Sequence, residues 1–332
     1  MLTQLENLIL YLIKILIERP GALLLVLRGK AFLGRKGFSL TVKFKDGKEE
    51  KTETFPIIDV DMVVIIGKAI TISTAALELI NEQNVPLVIH GLDWDLVVMD
   101  PVKIGWAEAR RKQYLMKDSE LGVKVAKEFI YGKLDGMSRV AKNLAYKSRK
   151  TTKNADLWKS EGRGELASCR SLECIKKVEA EWSSKLWKDL TSFIPGMQSR
   201  VPRAKDPANR ALDYVYALIY GLATHALIGA GLDPYAGLIH TERSGKKSFV
   251  FDFSEMFKPA GIYVVATVLR TSKLKLEGDF LDKESLQKLS QAFYSLFEDP
   301  KKAVRKWIYS KAWELRNSLE RGTSFKAYVF QP

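Results

Sequence analysis

The chain of 332 residues contains only two cysteines and three histidines. Cys169 and Cys174 have no second cysteine pair in the sequence, so the spacing predicts neither a zinc site built on thiolates nor a disulfide framework. A reducing, cytoplasmic compartment is the simplest interpretation of so few cysteines.

The sequence also lacks the signatures of several enzyme classes. It has no G-x-x-x-x-G-K-[ST] phosphate loop and no G-x-G-x-x-G after a strand, so nothing supports nucleotide-cofactor chemistry. A G-x-S-x-G nucleophile elbow is missing. The apolar run at residues 7–17 is interrupted by Lys14 and is shorter than the ~20 residues of a membrane span. We expect a buried or partner-facing amphipathic helix there, and no membrane anchor or signal peptide.

What the chain has in excess is positive charge, with a formal net charge of +14. Between Lys103 and Gly164, 16 lysine and arginine residues stand against 7 aspartate and glutamate residues. This concentration favours contact with a phosphate backbone, and a solvated helix face is the alternative. Candidate DNA contacts in this region and in the basic loop from Arg200 are Arg149, Lys150, Arg203, Lys205, Asn209 and Arg210.

The hydrophobic pattern changes near Asp100-Pro101. Before it, short β-branched runs such as FSLTVKFK (38–45) and MVVIIG (62–67) predict strands, and Asp46-Gly47 predicts a hairpin. One helix is expected between Thr71 and Asn84. After Asp100-Pro101, the apolar residues recur with helical periodicity. We therefore predict an α+β protein of two domains: a small N-terminal β-strand domain with one helix (1–100) and a larger all-α domain (101–332) that carries a metal site.

Residues 231–259 hold the first part of that site. His240 is followed twelve residues later by the pair Asp252-x-x-Glu255. An imidazole and carboxylates on short connected elements suit Mg²⁺ or Mn²⁺. Two alternatives stay open: the acidic pair can be a helix-capping pattern, and His240 can be a hydrogen-bonded core residue.

A further carboxylate comes from the helical register of residues 172–193. Ile175, Trp182 and Leu186 lie on one apolar stripe, and Glu179 falls inside it, whereas Glu181 points away. A carboxylate on a buried face must be paired, protonated or bound to a cation. Glu179 is therefore a candidate metal ligand, with a structural salt bridge as the alternative.

With these residues assembled, the sequence resembles the CRISPR-associated adaptation integrase family, the larger subunit of the spacer-acquisition complex. Resemblance spans nearly the whole chain except the first twenty residues. The segments that carry it are IGKAITISTAAL (66–77), NVPLVIHGLDWDL (84–96), EARRKQY (108–114), AKEFIYGKL (126–134), VEAEWSSKLWKDL (178–190), NRALDYVYALIYG (209–221), GLDPYAGLIH (231–240) and FDFSEMFKP (251–259).

The resemblance implies a divalent-metal nuclease site formed by Glu179, His240 and Glu255, with Asp252 close by. Lys258 would be a basic residue near the substrate phosphate, although the family's arginine-proline is Lys258-Pro259 here. It also implies a homodimer that joins a small ferredoxin-like partner protein and acts on double-stranded DNA. The products would be short DNA fragments inserted into a CRISPR array by in-line displacement at phosphorus.

Two other functions remain open at this point. The protein would be a catalytically silent DNA-binding scaffold if Glu179 is salt-bridged and the acidic pair only caps a helix. It would be a peripheral membrane protein if residues 7–17 and the basic face bind lipid. Metal-dependent cleavage separates the first alternative from the integrase, and liposome binding tests the second.

Overall fold

The computed structural model describes residues 23–46, 49–66, 69–83, 85, 87–90, 97–99, 104–242 and 246–332. The chain divides into two compact units between Ile104 and Gly105. We expected the change at residues 100–101, and the first helix of the second unit begins at Ile104. The apolar run at residues 7–17 lies outside the described residues.

In the part of the N-terminal unit that the structure describes there are two four-stranded sheets and one α-helix, α1 (Thr74–Glu82). The strands are β1 (Leu23–Arg28), β2 (Ala31–Lys36), β3 (Ser39–Asp46), β4 (Glu49–Pro56), β5 (Val60–Ile66), β6 (Ile70–Ile72), β7 (Leu87–His90) and β8 (Val97–Met99). The first sheet has the order β1-β5-β7-β8, with β1, β5 and β7 parallel and β8 antiparallel to β7. The second has the order β4-β3-β2-β6, with only the β2–β6 pair parallel.

Local sequence accounts for most of this unit. The apolar β5, VDMVVII, lies between two parallel neighbours, as expected of a buried strand. Strands β3 and β4 pair antiparallel with Asp46 opposite Glu49, although Gly47 itself lies outside the described residues. The Ser73 hydroxyl accepts the N–H of Ala76 and caps α1. The helix expected between Thr71 and Asn84 is confirmed, and it begins at Thr74 because Ile70–Ile72 pairs with β2 as a strand.

The C-terminal unit is mostly helical. Its helices are α2 (Ile104–Met116), α3 (Glu120–Lys147), α4 (Asn154–Leu157), α5 (Arg163–Ser168), α6 (Leu172–Thr191), α7 (Pro207–Gly229), α8 (Ser248–Ser254), α9 (Lys258–Thr271), α10 (Lys283–Phe297) and α11 (Val304–Arg321). A π-helical turn, Trp158–Gly162, joins α4 to α5, and a 3-10 turn, Glu255–Phe257, joins α8 to α9. A short hairpin, Leu276–Glu277 with Phe280–Leu281, departs from the predicted all-α domain.

Helix α7 is central to the second unit. Asp206 caps its first turn, Pro207 stands at its start, and Leu212, Val215 and Ile219 are fully buried. Among the described residues it is the one helix that is long and apolar enough to cross a membrane. Of the most apolar 18-residue stretch of this helix, 56% is buried inside the protein. Packing among the other helices accounts for that composition.

Cys169 and Cys174 form a disulfide, which the sequence did not lead us to expect. Cys169 follows the last residue of α5, and Cys174 lies in the first turn of α6. The short connection between the two helices brings their Cα atoms to 5.5 Å, within bonding reach of two cysteine side chains. The spacing of the two cysteines in the sequence does not by itself predict this short connection. The compartment stays a prediction.

Candidate active site

The structure places the predicted site residues on three neighbouring parts of the helical unit. Glu179 lies in α6, and His240 lies in the segment between α7 and α8. Asp252 lies in α8, and Glu255 begins the 3-10 turn after it. Helix α3 packs against both α6 and this turn. The site is thus assembled from segments far apart in sequence, with α3 between them.

Asp252 is completely buried and organises the backbone around His240. Its carboxylate accepts the N–H groups of Leu238 (2.6 Å), Ile239 (2.9 Å) and His240 (2.9 Å). The helix-capping alternative is therefore wrong, because α8 spans Ser248–Ser254 and Asp252 lies inside it. The carboxylate holds a loop and caps no helix.

The same carboxylate orients the imidazole of His240. Nδ1 of His240 lies 2.5 Å from Oδ1 of Asp252. This contact with a carboxylate engages Nδ1 and leaves Nε2 as the ring nitrogen that can bind a metal. Nε2 lies 3.9 Å from Oε1 of Glu255. A histidine held this way by a carboxylate is typical of metal sites.

Glu255 is 3% exposed and lies between two ammonium groups. Nζ of Lys258 is 2.6 Å from Oε1, and Nζ of Lys133 is 2.9 Å from Oε2. Burial would raise the pKa of Glu255, but the charges of Lys133 and Lys258 outweigh it and lower the pKa to about 2. Glu255 is therefore an anion held in the protein interior.

Glu179 is joined to this group through Lys133. The Lys133 ammonium donates a hydrogen bond to Oε1 of Glu179, and the Ser183 hydroxyl donates to the same oxygen at 2.8 Å. Burial would lower the pKa of Lys133, yet the carboxylates of Glu255 and Glu179 raise it above its ordinary value. The salt bridge that stood as the alternative for Glu179 is thus present in the structure. Glu181 is exposed, as predicted.

Sequence reasoning missed Lys133, although the register that indicated Glu179 also applies to α3. Phe129, Ile130 and Met137 are buried on α3 at the i−4, i−3 and i+4 positions from Lys133. A lysine within an apolar stripe needs an anionic partner, for the same reason that a buried glutamate needs a cation.

Two glycines let α3 approach the acidic turn closely. A Cβ atom on Gly132 would lie 2.5 Å from the carbonyl oxygen of Tyr328 and 2.9 Å from Cγ of Met256. A Cβ atom on Gly136 would lie 2.7 Å from Cγ of Pro259. The absence of both side chains brings the backbone beside Lys133 against the turn that carries Glu255.

The donor set fits a hard divalent cation in its chemistry. It offers two carboxylates and one imidazole with a free Nε2. Oε2 of Glu255 is buried and accepts no well-aligned hydrogen bond within the described ranges, although Lys133 lies beside it. Within those same ranges, no three His, Cys, Asp or Glu side chains stand close enough to share a metal. Lys133 lies where the two glutamates would have to converge.

The candidate DNA contacts divide into exposed and buried groups. Arg149 and Lys150 are exposed just after α3, and Arg203 and Lys205 are exposed in the loop before α7. Arg210 lies partly buried, with its guanidinium 5.8 Å from the ring centre of Phe280.

Two other candidates have internal partners. Asn209 is buried, accepts from Arg200 and the N–H of Val201, and donates to Ser199 and Asp206. The structure therefore gives Asn209 the task of holding the loop in place of direct DNA contact. Lys258 is paired with Glu255 inside the site, and its ammonium lies 5.6 Å from the ring centre of Tyr216.

Comparison with known proteins identifies the family. The family model described as CRISPR associated protein Cas1 matches residues 24–321. The chain belongs to the Cas1 family. A CRISPR-associated endonuclease Cas1 of Pyrobaculum aerophilum is 30% identical over 263 residues, which cover 76% of this chain and 83% of the relative. A CRISPR-associated endonuclease Cas1 of Hyperthermus butylicus is 27% identical over 293 residues, covering 82% and 88%.

Solved structures of low sequence identity share the Cas1 fold. A casposase bound to integration product is 21% identical, with a TM-score of 0.68 and 93% of each chain covered. A CAS1 protein from Thermotoga maritima is 16% identical, with a TM-score of 0.66, and covers 93% of this chain and 99% of its own. A TtCas1–DNA complex is 17% identical, with a TM-score of 0.60, and covers 90% and 97%.

Proposed function

We propose that this protein is a divalent-metal-dependent DNA endonuclease and integrase that inserts short foreign DNA fragments into a CRISPR array. The observation that carries the proposal is that Lys133 bridges Glu179 and Glu255 while Nε2 of His240 lies 3.9 Å from Glu255, within a chain of the Cas1 family. Relatives named CRISPR-associated endonuclease support the nuclease activity, and a casposase neighbour supports strand transfer.

In this proposal Glu179, His240 and Glu255 hold Mg²⁺ or Mn²⁺. The bound ion supplies Lewis-acid stabilisation of the charge that develops at phosphorus. Asp252 keeps Nδ1 of His240 protonated and so directs Nε2 toward the metal. Lys258 contributes positive charge beside the reacting phosphate. The nucleophile is the 3′-hydroxyl of the incoming DNA during integration and water during cleavage.

The basic loops contact the DNA backbone. Arg149, Lys150, Arg203 and Lys205 are exposed on the helical unit and suit phosphate contacts, which position DNA without reading its sequence. A neighbour described as a TtCas1–DNA complex supports DNA as the ligand. We expect weak sequence preference and a steep dependence of binding on salt concentration.

We further propose a homodimer that joins a small ferredoxin-like partner. A neighbour described as a partial Cas6-RT-Cas1–Cas2 complex, with a TM-score of 0.68, supports a Cas partner. In the N-terminal unit, Phe38 is 74% exposed and Ile58 is 91% exposed. The N–H of Ile57 donates to the carbonyl of Phe38, so the two apolar side chains belong to adjacent segments. Such a patch suits self-association.

A second function, a catalytically silent DNA-binding scaffold, draws support from one observation. Lys133 neutralises Glu179 and Glu255 without any metal, as a structural ion-pair network does. If the protein is a scaffold, Glu179→Ala would leave every activity of the protein unchanged and would change only its stability.

A strand-transfer assay tests the proposal. A labelled short duplex and a supercoiled plasmid with a CRISPR repeat are incubated with the protein and its small partner, in Mn²⁺ or in EDTA. Covalent joining should require Mn²⁺ and should be lost in Glu179→Ala and His240→Ala. Glu181→Ala is the matched control, because Glu181 is exposed on the same helix and forms a salt bridge with Lys185, away from the site.

The outcomes separate the two functions. Joining that depends on metal and on both site residues supports the integrase. Salt-sensitive DNA binding without joining, in wild type and variants alike, supports the scaffold. Joining that survives Glu179→Ala would remove Glu179 from the proposed ligand set.

A further inference from the structure

The ammonium of Lys133 lies between the two glutamates of the site. It donates to Glu179 and lies 2.9 Å from Oε2 of Glu255, and its side chain is only 12% exposed. We infer that Lys133 is the resident cation of the metal-free site and that a divalent ion binds by displacing it from between these carboxylates. The inference rests on the proposed function, because it concerns the same metal site.

Charge balance requires a cation at this position. The side chains of Glu179 and Glu255 are 25% and 4% exposed, and two carboxylates so close together inside a protein repel each other unless a positive charge separates them. Lys258 pairs with the other oxygen of Glu255. Among the described residues, Lys133 is the one cation paired with both Glu179 and Glu255.

The same contacts make Lys133 a competitor of the metal. A divalent ion that binds Glu179 and Glu255 must approach the oxygens that Lys133 now contacts, and two cations cannot share that space. Lysine suits such an exchange, because its ammonium is a point charge on a flexible four-carbon chain. The long side chain can withdraw while the backbone of α3 stays packed at Gly132.

Thermal unfolding of the full chain tests the exchange without measuring activity. Wild type, Lys133→Met and Lys124→Met are unfolded in EDTA and in a series of Mn²⁺ concentrations. Lys124 is the matched control, because it lies on the same helix and forms an exposed salt bridge with Glu120, away from the site. The double variant Lys133→Met/Glu179→Gln removes one charge of each sign and is included in case Lys133→Met folds poorly.

In EDTA, Lys133→Met should lower the Tm, and adding Glu179→Gln should recover part of the loss. In Mn²⁺, Lys133→Met should reach half of its Tm increase at an about 10-fold lower metal concentration than wild type, because the competing ammonium is gone. Lys124→Met should match wild type in both conditions.

Three results would overturn the inference in different ways. If Mn²⁺ raises the Tm of wild type but acts no more strongly on Lys133→Met, the exchange is wrong while the metal site stands. If Mn²⁺ changes the Tm of neither protein, the metal site itself fails, and the exchange fails with it. A double variant no more stable than Lys133→Met would show that Lys133 does not neutralise Glu179.

Discussion

His240 is held by Asp252 twice: its backbone N–H donates to Oδ1 at 2.9 Å, and its Nδ1 lies 2.5 Å from the same oxygen. One carboxylate therefore sets both the position of the residue and the direction of its ring. In the proposed function, we expect Asp252 to act through His240 as a positioning residue.

Asp252→Asn should impair the site while leaving the fold in place. An amide accepts hydrogen bonds only at its oxygen atom. The variant therefore loses part of the acceptor set for Leu238, Ile239 and His240, and Nδ1 of His240 loses its carboxylate partner. We expect strand transfer to fall about 10–100-fold, the range seen when partners of metal ligands are removed. The half-saturating Mn²⁺ concentration in the joining assay should rise.

Asp233→Asn is the control for this experiment. Asp233 also accepts a backbone N–H, from Tyr235, but it lies outside the site. An equal loss of joining in both variants would contradict a specific role for Asp252 and point to general disturbance of the loop.

Gly132→Ala should destabilise the helical unit. The new methyl group would lie 2.5 Å from the carbonyl oxygen of Tyr328, a backbone atom that cannot move away alone. We expect the free energy of unfolding in urea to fall by about 1–3 kcal/mol. Gly164→Ala serves as the control, since among the described residues no atom outside its own stretch of helix lies within 4 Å of the added carbon, and it should leave stability unchanged or raise it. Equal effects of the two substitutions would contradict the close approach.

Reversing charge at Arg149 and Lys150 should weaken DNA binding by a salt-dependent amount. Both residues are exposed after α3 and have room for phosphate contacts. Each lost contact should reduce the slope of log K against log salt by about 0.9. Fluorescence anisotropy of the Arg149→Glu/Lys150→Glu variant on a duplex, at several salt concentrations, measures this slope.

Asn209→Ala should behave in the opposite way. Asn209 is buried and bonded to Arg200, Val201, Ser199 and Asp206, so its loss leaves partners unsatisfied. We expect a stability loss of about 1–3 kcal/mol and no change in the salt slope. A reduced slope with unchanged stability would restore Asn209 as a DNA contact.

Reducing the disulfide between Cys169 and Cys174 should lower stability modestly. The bond closes a loop with a sequence separation of only 5, for which chain entropy gives about 2 kcal/mol. A Tm lower by about 4–8 °C in reductant is expected for a unit of this size. The Cys169→Ser/Cys174→Ser variant should already show the lower Tm and should not respond to reductant. A wild type indifferent to reductant would contradict the prediction.

Periodicity in the sequence was enough to predict the division into β and helical parts and the positions of α6 and α7. Alternation and helical stripes are local properties that follow directly from which face of each element is buried. The sequence did not predict strands β2 and β6, because AFLGRK is mostly polar or small and ITI is too short to show an alternating pattern.

By itself the sequence determined the candidate ligands, because a glutamate inside an apolar stripe and a histidine near an acidic pair can be recognised from the order of the residues alone. Only the tertiary structure decided what those residues contact. Asp252 turned out to hold His240 in place of capping a helix, and Lys133 came between Glu179 and Glu255. The contact between Lys133 and Glu179 joins two helices across 46 residues of chain, and local patterns contain no information about which helices pack together. Asp252 and His240 are only 12 residues apart, but the path of the segment that carries His240 is likewise set by tertiary contacts.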